Sequence, residues 1–140
     1  KKMHATSVAL EDNGVLIEGP SGSGKSDLAL RLIDSGATLI SDDLTFCQKR
    51  TKKIFLFSTK NIYGLIEVRG MGIITVPYIE NIELKIIVNL TQNNVERLHR
   101  RKEKVLMGVR IPLIEINPKE ASASAKIKLK IYEENQNKKN

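Results

Sequence analysis

The sequence has one cysteine, no tryptophan and no long apolar run, and these absences exclude several classes of protein. A lone cysteine, Cys47, excludes an internal disulfide and a cysteine-based metal cluster, and a small apolar role is more typical of it than a redox role. Every apolar run falls short of the roughly twenty residues that span a membrane, and residues 1–10 lack the apolar core of a secretory signal. We therefore expect a cytoplasmic protein with no membrane partner.

Aromatic residues are also scarce, although the chain is strongly basic. The formal net charge is +7, while Phe, Trp and Tyr together make up only 4% of the residues. A basic chain suits an anionic partner, whether a nucleotide, a nucleic acid or an acidic patch on another protein. Because no aromatic residues are interleaved with the basic ones and no zinc-ligand spacing is present, the basic runs are more typical of solvated helix faces. We expect no nucleic-acid partner.

The most informative run is GPSGSGKS, residues 19–26, which matches the P-loop pattern of glycine, four residues and then Gly-Lys-Ser. Tight turns let backbone N–H groups surround a polyphosphate, and glycines permit such turns. A strand-like apolar run precedes the motif and a helical pattern follows it, which is the order that a P-loop requires. In this pattern Lys25 reaches the β- and γ-phosphates and Ser26 binds Mg²⁺. The predicted nucleotide-binding residues are Gly19, Pro20, Ser21, Gly22, Ser23, Gly24, Lys25 and Ser26.

The rest of the pattern predicts a single α/β domain over residues 1–133, built on a P-loop core with a mixed sheet, and a disordered tail at 134–140. A polar segment at 49–53 predicts a hairpin turn. The last helix has a cap, a first-turn proline and a capping-box glutamate, whereas the alternation at 127–131 would suit a strand; we favour the helix. Strands are predicted at 6–10, 14–18, 37–41, 54–58, 62–68, 73–76, 83–90 and 109–116, and helices at 25–35, at 94–104 and from Asn117 onward.

A pair of aspartates, Asp42 and Asp43, ends the apolar run at 37–41. Adjacent residues of a strand point to opposite faces. If this strand lies beside the P-loop strand, its carboxyl end lies next to the terminal phosphate. One aspartate could then act as a base and the other could bind the metal or a hydrogen-bond donor. The alternative, an Asp-Asp turn or a helix cap, is more typical of such a pair away from a P-loop.

The run IEVRGMGIITV, residues 66–76, places Glu67 and Arg69 on one face of a predicted strand. Two charges on one strand face are costly when they are buried without partners, but they suit a site that binds a cation and an anion. We therefore assign Glu67 to Mg²⁺ and Arg69 to a phosphate or a neighbouring carboxylate. Gly70 and Gly72 would let the backbone turn close to a ligand.

Four features in this order resemble the catalytic domain of the HPr kinase/phosphorylase family. They are His4 ahead of GVLIEGPSGSGKSDLAL, SDD at 41–43, EVRGMGI at 67–73 and ERL at 96–98, and EVRGMGI is the most discriminating because P-loops are common. By itself, a lone histidine is more often structural than catalytic. The family is similar to phosphoenolpyruvate carboxykinase in its nucleotide-binding core, and it transfers phosphate from ATP to a serine of the small phosphocarrier protein HPr.

The resemblance implies a nucleotide and metal site in the first half of the chain. Residues 19–26 would hold ATP, with Lys25 catalytic and Ser26 on Mg²⁺. Glu67 would be the second protein ligand of the metal.

The resemblance also implies the groups that move protons and charge. Asp43 would take the serine proton in the forward reaction and return one in the reverse reaction, with Asp42 beside it. His4 and Arg97 match the remaining active-site positions, and Arg97 would neutralise charge on the transferring phosphoryl group, across a subunit boundary if the protein is oligomeric.

The sequence also departs from the longer members of that family. They carry an N-terminal domain, which we do not expect here, and a proline- and arginine-rich motif associated with dephosphorylation, where this chain has INPKEASASAK at 116–126. The resemblance is therefore to the short forms of alphaproteobacteria. It implies the kinase reaction more strongly than the reverse phosphorylase reaction, and it implies a homo-oligomer, which is a hexamer in the family.

The resulting expectation is an ATP- and Mg²⁺-dependent serine kinase acting on an HPr-type phosphocarrier. One alternative is a small-metabolite kinase, which shares the P-loop but usually brings a lid that this sequence does not offer. A second alternative is a non-catalytic, nucleotide-sensing regulatory module that binds a protein partner. The absence of an N-K-x-D-like guanine-reading segment argues against a GTPase.

Overall fold

The computed structural model describes residues 1–93 and 101–138 of the chain. Within them, nine strands form one mixed sheet and two form a separate hairpin. The strands are β1 Lys2–Met3, β2 Ala5–Leu10, β3 Asn13–Glu18, β4 Thr38–Ser41, β5 Thr45–Arg50, β6 Lys53–Phe57, β7 Leu65–Val68, β8 Gly72–Thr75, β9 Ile82–Leu90, β10 Lys102–Leu106 and β11 Val109–Ile116. The helices are α1 Lys25–Asp34 and α2 Ala123–Lys138. The predicted α/β class with a mixed sheet is confirmed.

Three parallel strands form the centre of the large sheet. β9 pairs with β3 on one side, and its second half pairs with β11 on the other side. Because parallel strands end at the same side of a sheet, the segments that follow Glu18, Leu90 and Ile116 emerge together. This edge, which we call the carboxyl edge, is where open α/β sheets bind ligands.

The strand that ends at the aspartate pair reaches the same edge by a different route from the one predicted. β4 does not lie beside β3, because β2 lies between them and pairs antiparallel with both. Two antiparallel pairings make β4 parallel to β3. Asp42 and Asp43 therefore follow the end of β4 at the carboxyl edge, although the condition considered in the sequence, that β4 lies beside β3, is not met.

The apolar core has two layers, one on each face of the central strands. Alternate residues of β3 point to opposite faces, so that Val15 and Ile17 pack with α1, α2 and the β7–β8 hairpin, whereas Leu16 packs with β5, β6 and the β10–β11 hairpin. All three side chains are fully buried. A strand that is buried on both faces has a continuous apolar sequence, which is why GVLIEG was recognisable as a strand.

The chain around Lys102 differs from the prediction. A helix is predicted at 94–104, but residues 102–104 belong to strand β10, so the prediction is wrong there. Residues 94–100 lie outside the described part of the chain. β10 pairs antiparallel with β11 through five residue pairs, from Lys102↔Leu113 to Leu106↔Val109. Alternating charged residues look the same on a solvated helix and on an edge strand, and the pairing with β11 decides between the two.

The last helix is confirmed, but it begins later than predicted. The side chain of Asn117 accepts a hydrogen bond from the backbone N–H of Lys119, and its carbonyl accepts one from the backbone N–H of Glu120, both at 3.0 Å. Asn117 therefore caps a turn rather than the helix. The carbonyl of Pro118 accepts a hydrogen bond from Arg31 of α1 at 2.7 Å, which holds this turn against that helix. The helix begins at Ala123 and continues to Lys138. It thus extends into the segment 134–140, for which a disordered tail is predicted.

An ion-pair cluster fixes α2 to the start of β10. Arg101 donates to both carboxylate oxygens of Glu134, at 2.8 and 3.1 Å, and Lys130 lies 3.1 Å from the same carboxylate. The Glu134 and Lys130 side chains are only 8% and 5% exposed. The hydrogen bond from Arg101 lowers the pKa of Glu134, and the same bond raises the pKa of Arg101. This cluster explains why the helix continues beyond residue 133.

Replacing Glu134 with glutamine is expected to lower the free energy of unfolding by about 2 kcal/mol at neutral pH, because hydrogen bonds to a charged group are lost. A carboxyl group with a lowered pKa stabilises the fold fully above its ordinary pKa of 4.5, and this contribution is lost as the pH falls through the lower folded-state value. Urea unfolding should therefore show a difference between the two proteins that shrinks below pH 4.5. Glu133→Gln is the matched control, since Glu133 is more exposed, and an equal, pH-independent loss in both variants would contradict the assignment.

Cys47 is buried in β5, with 1% of its surface exposed. Burial raises the pKa of its thiol to about 11, so the thiolate is scarce at neutral pH. Its predicted use as a small apolar core residue is consistent with this position. No helix in the described ranges is long and apolar enough to cross a membrane.

Candidate active site

The loop between β3 and α1 lies at the carboxyl edge and fits tightly against its neighbours. A Cβ atom at Gly19 would lie 2.5 Å from Ser23 Oγ and 3.2 Å from Leu90 Cβ, so only glycine fits there without movement. Gly24 has φ = +101°, in the left-handed region that favours glycine. The backbone N–H of Ser23 donates to the carbonyl of Pro20 at 3.0 Å and closes a turn. The spacing of the glycines thus corresponds to a compact loop that leads directly into a helix.

Lys25 is held inside this loop. Its Nζ donates to the carbonyl of Gly19 at 2.8 Å and to that of Pro20 at 3.2 Å, and only 8% of the residue is exposed. A lysine that bonds to carbonyls of its own loop places a positive charge at the centre of that loop. The charge is therefore positioned where a bound anion would be surrounded by backbone.

Two polar features of the loop are left without partners in the ranges that the structure describes. The N-terminus of α1 has no side-chain cap, so the first N–H groups of the helix are not satisfied by a capping residue. The hydroxyl of Ser23 is buried and has no hydrogen-bond partner. Uncapped N–H groups at a helix N-terminus, together with a buried unpartnered hydroxyl, suit an anionic ligand with several oxygens.

Asp42 connects the loop to the other elements of the site. Its Oδ1 accepts hydrogen bonds from Ser26 Oγ at 2.7 Å and from Thr6 Oγ1 at 3.0 Å, and its Oδ2 accepts one from the backbone N–H of Glu67 at 3.0 Å. One carboxylate thereby joins α1, β2 and β7. Its acceptor positions are largely occupied by protein groups, which makes Asp42 an organising residue.

Asp43 differs from Asp42 in nearly every respect. It is exposed, and no hydrogen bond or ion pair of its carboxylate is found in the described part of the chain. Its backbone has φ = +66°, which is uncommon for a residue other than glycine, and its N–H donates to Thr6 Oγ1 at 3.1 Å. Strained backbone of this kind is concentrated at functional sites. Of the two adjacent aspartates, Asp42 thus has a hydrogen-bonded carboxylate, and Asp43 has a carboxylate with no partner in the described part of the chain.

Glu67 lies at the site, but its predicted relation to Arg69 is wrong. Glu67 is an exposed residue of β7, whereas Arg69 follows the end of that strand in the turn to β8. The two charges therefore do not share a strand face. Arg69 is exposed and has no described partner among residues 1–93 and 101–138. Gly70 lies in the hairpin turn and Gly72 begins β8, with open space around both.

The remaining predicted residues are His4 and Arg97. His4 is exposed and lies between β1 and β2, one residue before Ala5, which pairs with Glu18 at the carboxyl edge. This places its backbone at the same edge as the loop, with no described hydrogen bond to the other site residues. Arg97 lies outside the described residues.

Sequence reasoning missed two connections at this edge. Thr6 is fully buried and contacts both aspartates, and Lys104 of β10 binds both carboxylate oxygens of Glu18, at 3.0 and 2.7 Å, directly before Gly19. A threonine within an apolar strand and a lysine in a basic run carry no local signal of function. Only the pairing of strands distant in sequence brings these residues to the site.

No group of three or more His, Cys, Asp or Glu side chains that could hold a metal is found in residues 1–93 and 101–138. The oxygen groups present are those of Ser26, the aspartate pair and the nearby Glu67. A hard cation such as Mg²⁺ is commonly held by one or two protein oxygens together with the phosphates of a bound nucleotide. The donor set therefore fits a metal shared with a ligand.

Comparisons with known proteins bear on the family and the fold of this chain. The profile of the family described as HPr Serine kinase C-terminal domain matches residues 1–139. An HPr kinase/phosphorylase of Malacoplasma penetrans is 34% identical over 131 residues, which are 83% of this chain and 44% of that protein. One of Mycoplasmopsis pulmonis is 36% identical over 131 residues, covering 82% of this chain and 41% of that protein.

A solved structure shows the same fold. The HPr(Ser) kinase/phosphatase from Coxiella burnetii superposes with a TM-score of 0.86 and covers 100% of this chain and 99% of its own, at 22% sequence identity. The chain spans less than half the length of the two curated relatives above. Because the family profile matches nearly the whole of this chain, the chain belongs to the HPr Serine kinase C-terminal domain family.

Proposed function

We propose that this protein is an ATP- and Mg²⁺-dependent serine kinase whose substrate is an HPr-type phosphocarrier of a phosphotransferase system. The observation that carries the proposal is the bond from Ser26 Oγ to Asp42, which joins the glycine-rich loop to the aspartate pair at 2.7 Å. Phosphoryl transfer to a hydroxyl requires a loop that binds phosphate and a carboxylate that can act as a base. Here the free carboxylate belongs to Asp43, the residue after Asp42. Membership in the family supports this reading.

The nucleotide phosphates are assigned to the glycine-rich loop, residues 19–26, acting as a P-loop of the phosphoenolpyruvate carboxykinase-like type. The uncapped N-terminus of α1 and the unpartnered hydroxyl of Ser23 offer donors to phosphate oxygens. Lys25 would exchange its two carbonyl partners for the β- and γ-phosphates. Arg69, exposed in the β7–β8 turn, is a further candidate for phosphate contact.

The metal is assigned to Ser26 and Glu67. Both lie within one hydrogen bond of Asp42, Ser26 through its hydroxyl and Glu67 through its backbone N–H. Bound there, Mg²⁺ would neutralise charge on the phosphate oxygens and help to orient the γ-phosphate. Asp42 would align the Ser26 hydroxyl so that its lone pairs are directed away from the carboxylate.

Asp43 is assigned as the general base. The acceptor serine loses its proton to a free Asp43 carboxylate oxygen as its own oxygen bonds to the γ-phosphorus. The bond from that phosphorus to the β–γ bridging oxygen breaks, and ADP leaves. His4, at the same edge of the sheet, is assigned a supporting role beside this carboxylate, and Arg97 is assigned to charge neutralisation. The reverse phosphorylase reaction is not part of the proposal.

The cellular setting follows from the same proposal. A kinase of a phosphocarrier acts in the cytoplasm, where ATP and the phosphotransferase proteins are present. Members of the family assemble into hexamers, and we propose a homo-oligomer here, with Arg97 acting across the subunit boundary.

The test is ADP release measured with and without a purified HPr-type phosphocarrier. The proposal predicts ADP formation that depends on both the phosphocarrier and Mg²⁺. ADP formation that requires a small metabolite instead would favour a metabolite kinase. ATP binding without turnover under any of these conditions would favour a nucleotide-sensing module. Either result would contradict the proposed activity.

A further inference from the structure

Thr6 lies behind the two aspartates and is shielded from solvent. It is fully buried in β2, and its side chain has a single hydroxyl group. That hydroxyl lies 3.0 Å from Asp42 Oδ1 and 3.1 Å from the backbone nitrogen of Asp43. One hydroxyl therefore bonds to both members of the pair.

The direction of both hydrogen bonds is determined by the chemistry of the partners. The carboxylate of Asp42 can only accept, so Thr6 must donate its one proton to Asp42. The backbone N–H of Asp43 can only donate, so it must use a lone pair of the same oxygen. The arrangement allows no second orientation of the hydroxyl, and Asp42 and Asp43 are therefore fixed relative to each other.

The position of Thr6 in the sheet explains why its side chain takes this role. β2 and β4 pair as far as Ser7↔Ser41, and the register shifts next to this pair. Thr6 is the next residue of β2 and Asp42 is the next residue beyond β4. Where the backbone pairing ends, the Thr6 hydroxyl continues the connection between the two strands.

Asp43 depends on this contact more than its neighbours do. Its φ of +66° is unfavourable for a residue with a side chain, and its carboxylate has no partner in the described ranges. Of the hydrogen bonds described, the one to Thr6 is the only one made by Asp43 itself. Without it, the residue could relax towards the more favourable right-handed region, and its carboxylate would move.

We propose that Thr6 is a positioning residue, whose hydroxyl holds the Asp42–Asp43 backbone so that the free carboxylate of Asp43 is aimed at the acceptor hydroxyl. The inference rests on the proposed function and adds a residue to that site. Thr6 touches neither substrate in this arrangement and acts through Asp43. Displacement of a catalytic group by about 1 Å can reduce a rate about a hundredfold, so a buried residue of this kind has a measurable effect.

The experiment compares Thr6→Val, which keeps the shape and removes the hydroxyl, with Thr6→Ser, which keeps the hydroxyl. We expect Thr6→Val to lower kcat for transfer to the phosphocarrier by about tenfold to a hundredfold, with the dissociation constant for ATP unchanged within about threefold. Thr6→Ser should recover most of the rate. A second readout is hydrogen exchange of the Asp43 amide, which should become faster in Thr6→Val and remain slow in Thr6→Ser.

Thr45→Val is the matched control. The Thr45 hydroxyl is also fully buried and bonds to the carbonyl of Ala5 and to Ser7, both at 2.9 Å, but it does not contact Asp42 or Asp43. A similar loss of stability with unchanged kcat in this variant would separate positioning from general destabilisation. Equal losses of kcat in Thr45→Val and Thr6→Val would overturn the inference.

The two proposals fail in different ways. An unmodified protein that forms no phosphoserine contradicts the proposed function, and with it the catalytic part of this inference. An unmodified protein that is active, with full kcat in Thr6→Val, contradicts only the positioning role. Unchanged exchange of the Asp43 amide in Thr6→Val overturns the inference whatever the activity of the unmodified protein.

Discussion

Replacing Asp43 with asparagine is expected to reduce phosphoryl transfer to the phosphocarrier by about a hundredfold to ten-thousandfold, the usual contribution of a general base. Asparagine has nearly the same shape, but its amide cannot take up the serine proton at neutral pH. Affinity for ATP should change little, because the Asp43 carboxylate has no described contact with the glycine-rich loop. Steady-state kinetics and ATP titration of the same protein measure both quantities.

Asparagine is also the substitution that disturbs the backbone least. Asp43 has φ = +66°, and asparagine tolerates this left-handed conformation better than alanine does. The hydrogen bond from its backbone N–H to Thr6 is kept. A lost rate in Asp43→Asn can therefore be attributed to the carboxylate rather than to a rearranged loop.

The matched control for this substitution is Asp12→Asn. Asp12 is an exposed aspartate in the β2–β3 turn, at the opposite end of β2 from Thr6. The Asp12→Asn variant should transfer phosphate at the same rate as the unmodified protein. Full transfer by Asp43→Asn would contradict the assignment of the base, and attention would then move to His4 at the same edge.

Replacing Lys25 with methionine is expected to lower transfer by about a hundredfold to a thousandfold, the cost of losing one group that stabilises charge in the transition state. Methionine retains the length of the side chain without its charge. Because Lys25 would bond to the β- and γ-phosphates in place of its two carbonyl partners, ATP affinity should fall as well when its charge is removed. Loss of both rate and affinity would distinguish Lys25→Met from Asp43→Asn, in which only the rate is lost.

Lys60→Met serves as the matched control, because Lys60 is exposed and lies outside the loop. It changes the net charge by the same amount, so any effect of overall charge on ATP binding appears in both variants. Lys25→Met with unaltered ATP affinity and unaltered transfer would contradict the assignment of the loop to nucleotide phosphates.

The parts of the site that could be predicted from the sequence are those written in short, contiguous segments. The strand, loop and helix around GPSGSGKS follow from apolar runs and glycine spacing, and the structure has them as β3, the loop and α1. The aspartate pair was found because it directly follows an apolar run. The pair lies at the carboxyl edge because β4 runs parallel to β3, although the two strands are not neighbours.

The parts that could not be predicted depend on contacts between distant residues. Thr6 and Asp43 are separated by 37 positions, and Lys104 and Glu18 by 86. The placement of β2 between β3 and β4 is a property of sheet topology, which local patterns do not specify. The edge strand β10 was mistaken for a helix because its charged residues are ordered by pairing with β11 rather than by their own periodicity.

The central claim, that this chain phosphorylates a serine of an HPr-type phosphocarrier, is tested most directly by mass spectrometry of that phosphocarrier. The phosphocarrier is incubated with the protein, ATP and Mg²⁺, its intact mass is measured, and the modified residue is located by fragmentation. We predict one added phosphate on a serine with the unmodified protein, and none with Lys25→Met or Asp43→Asn on the same timescale. An unmodified phosphocarrier, from a protein that demonstrably binds ATP, would contradict the claim.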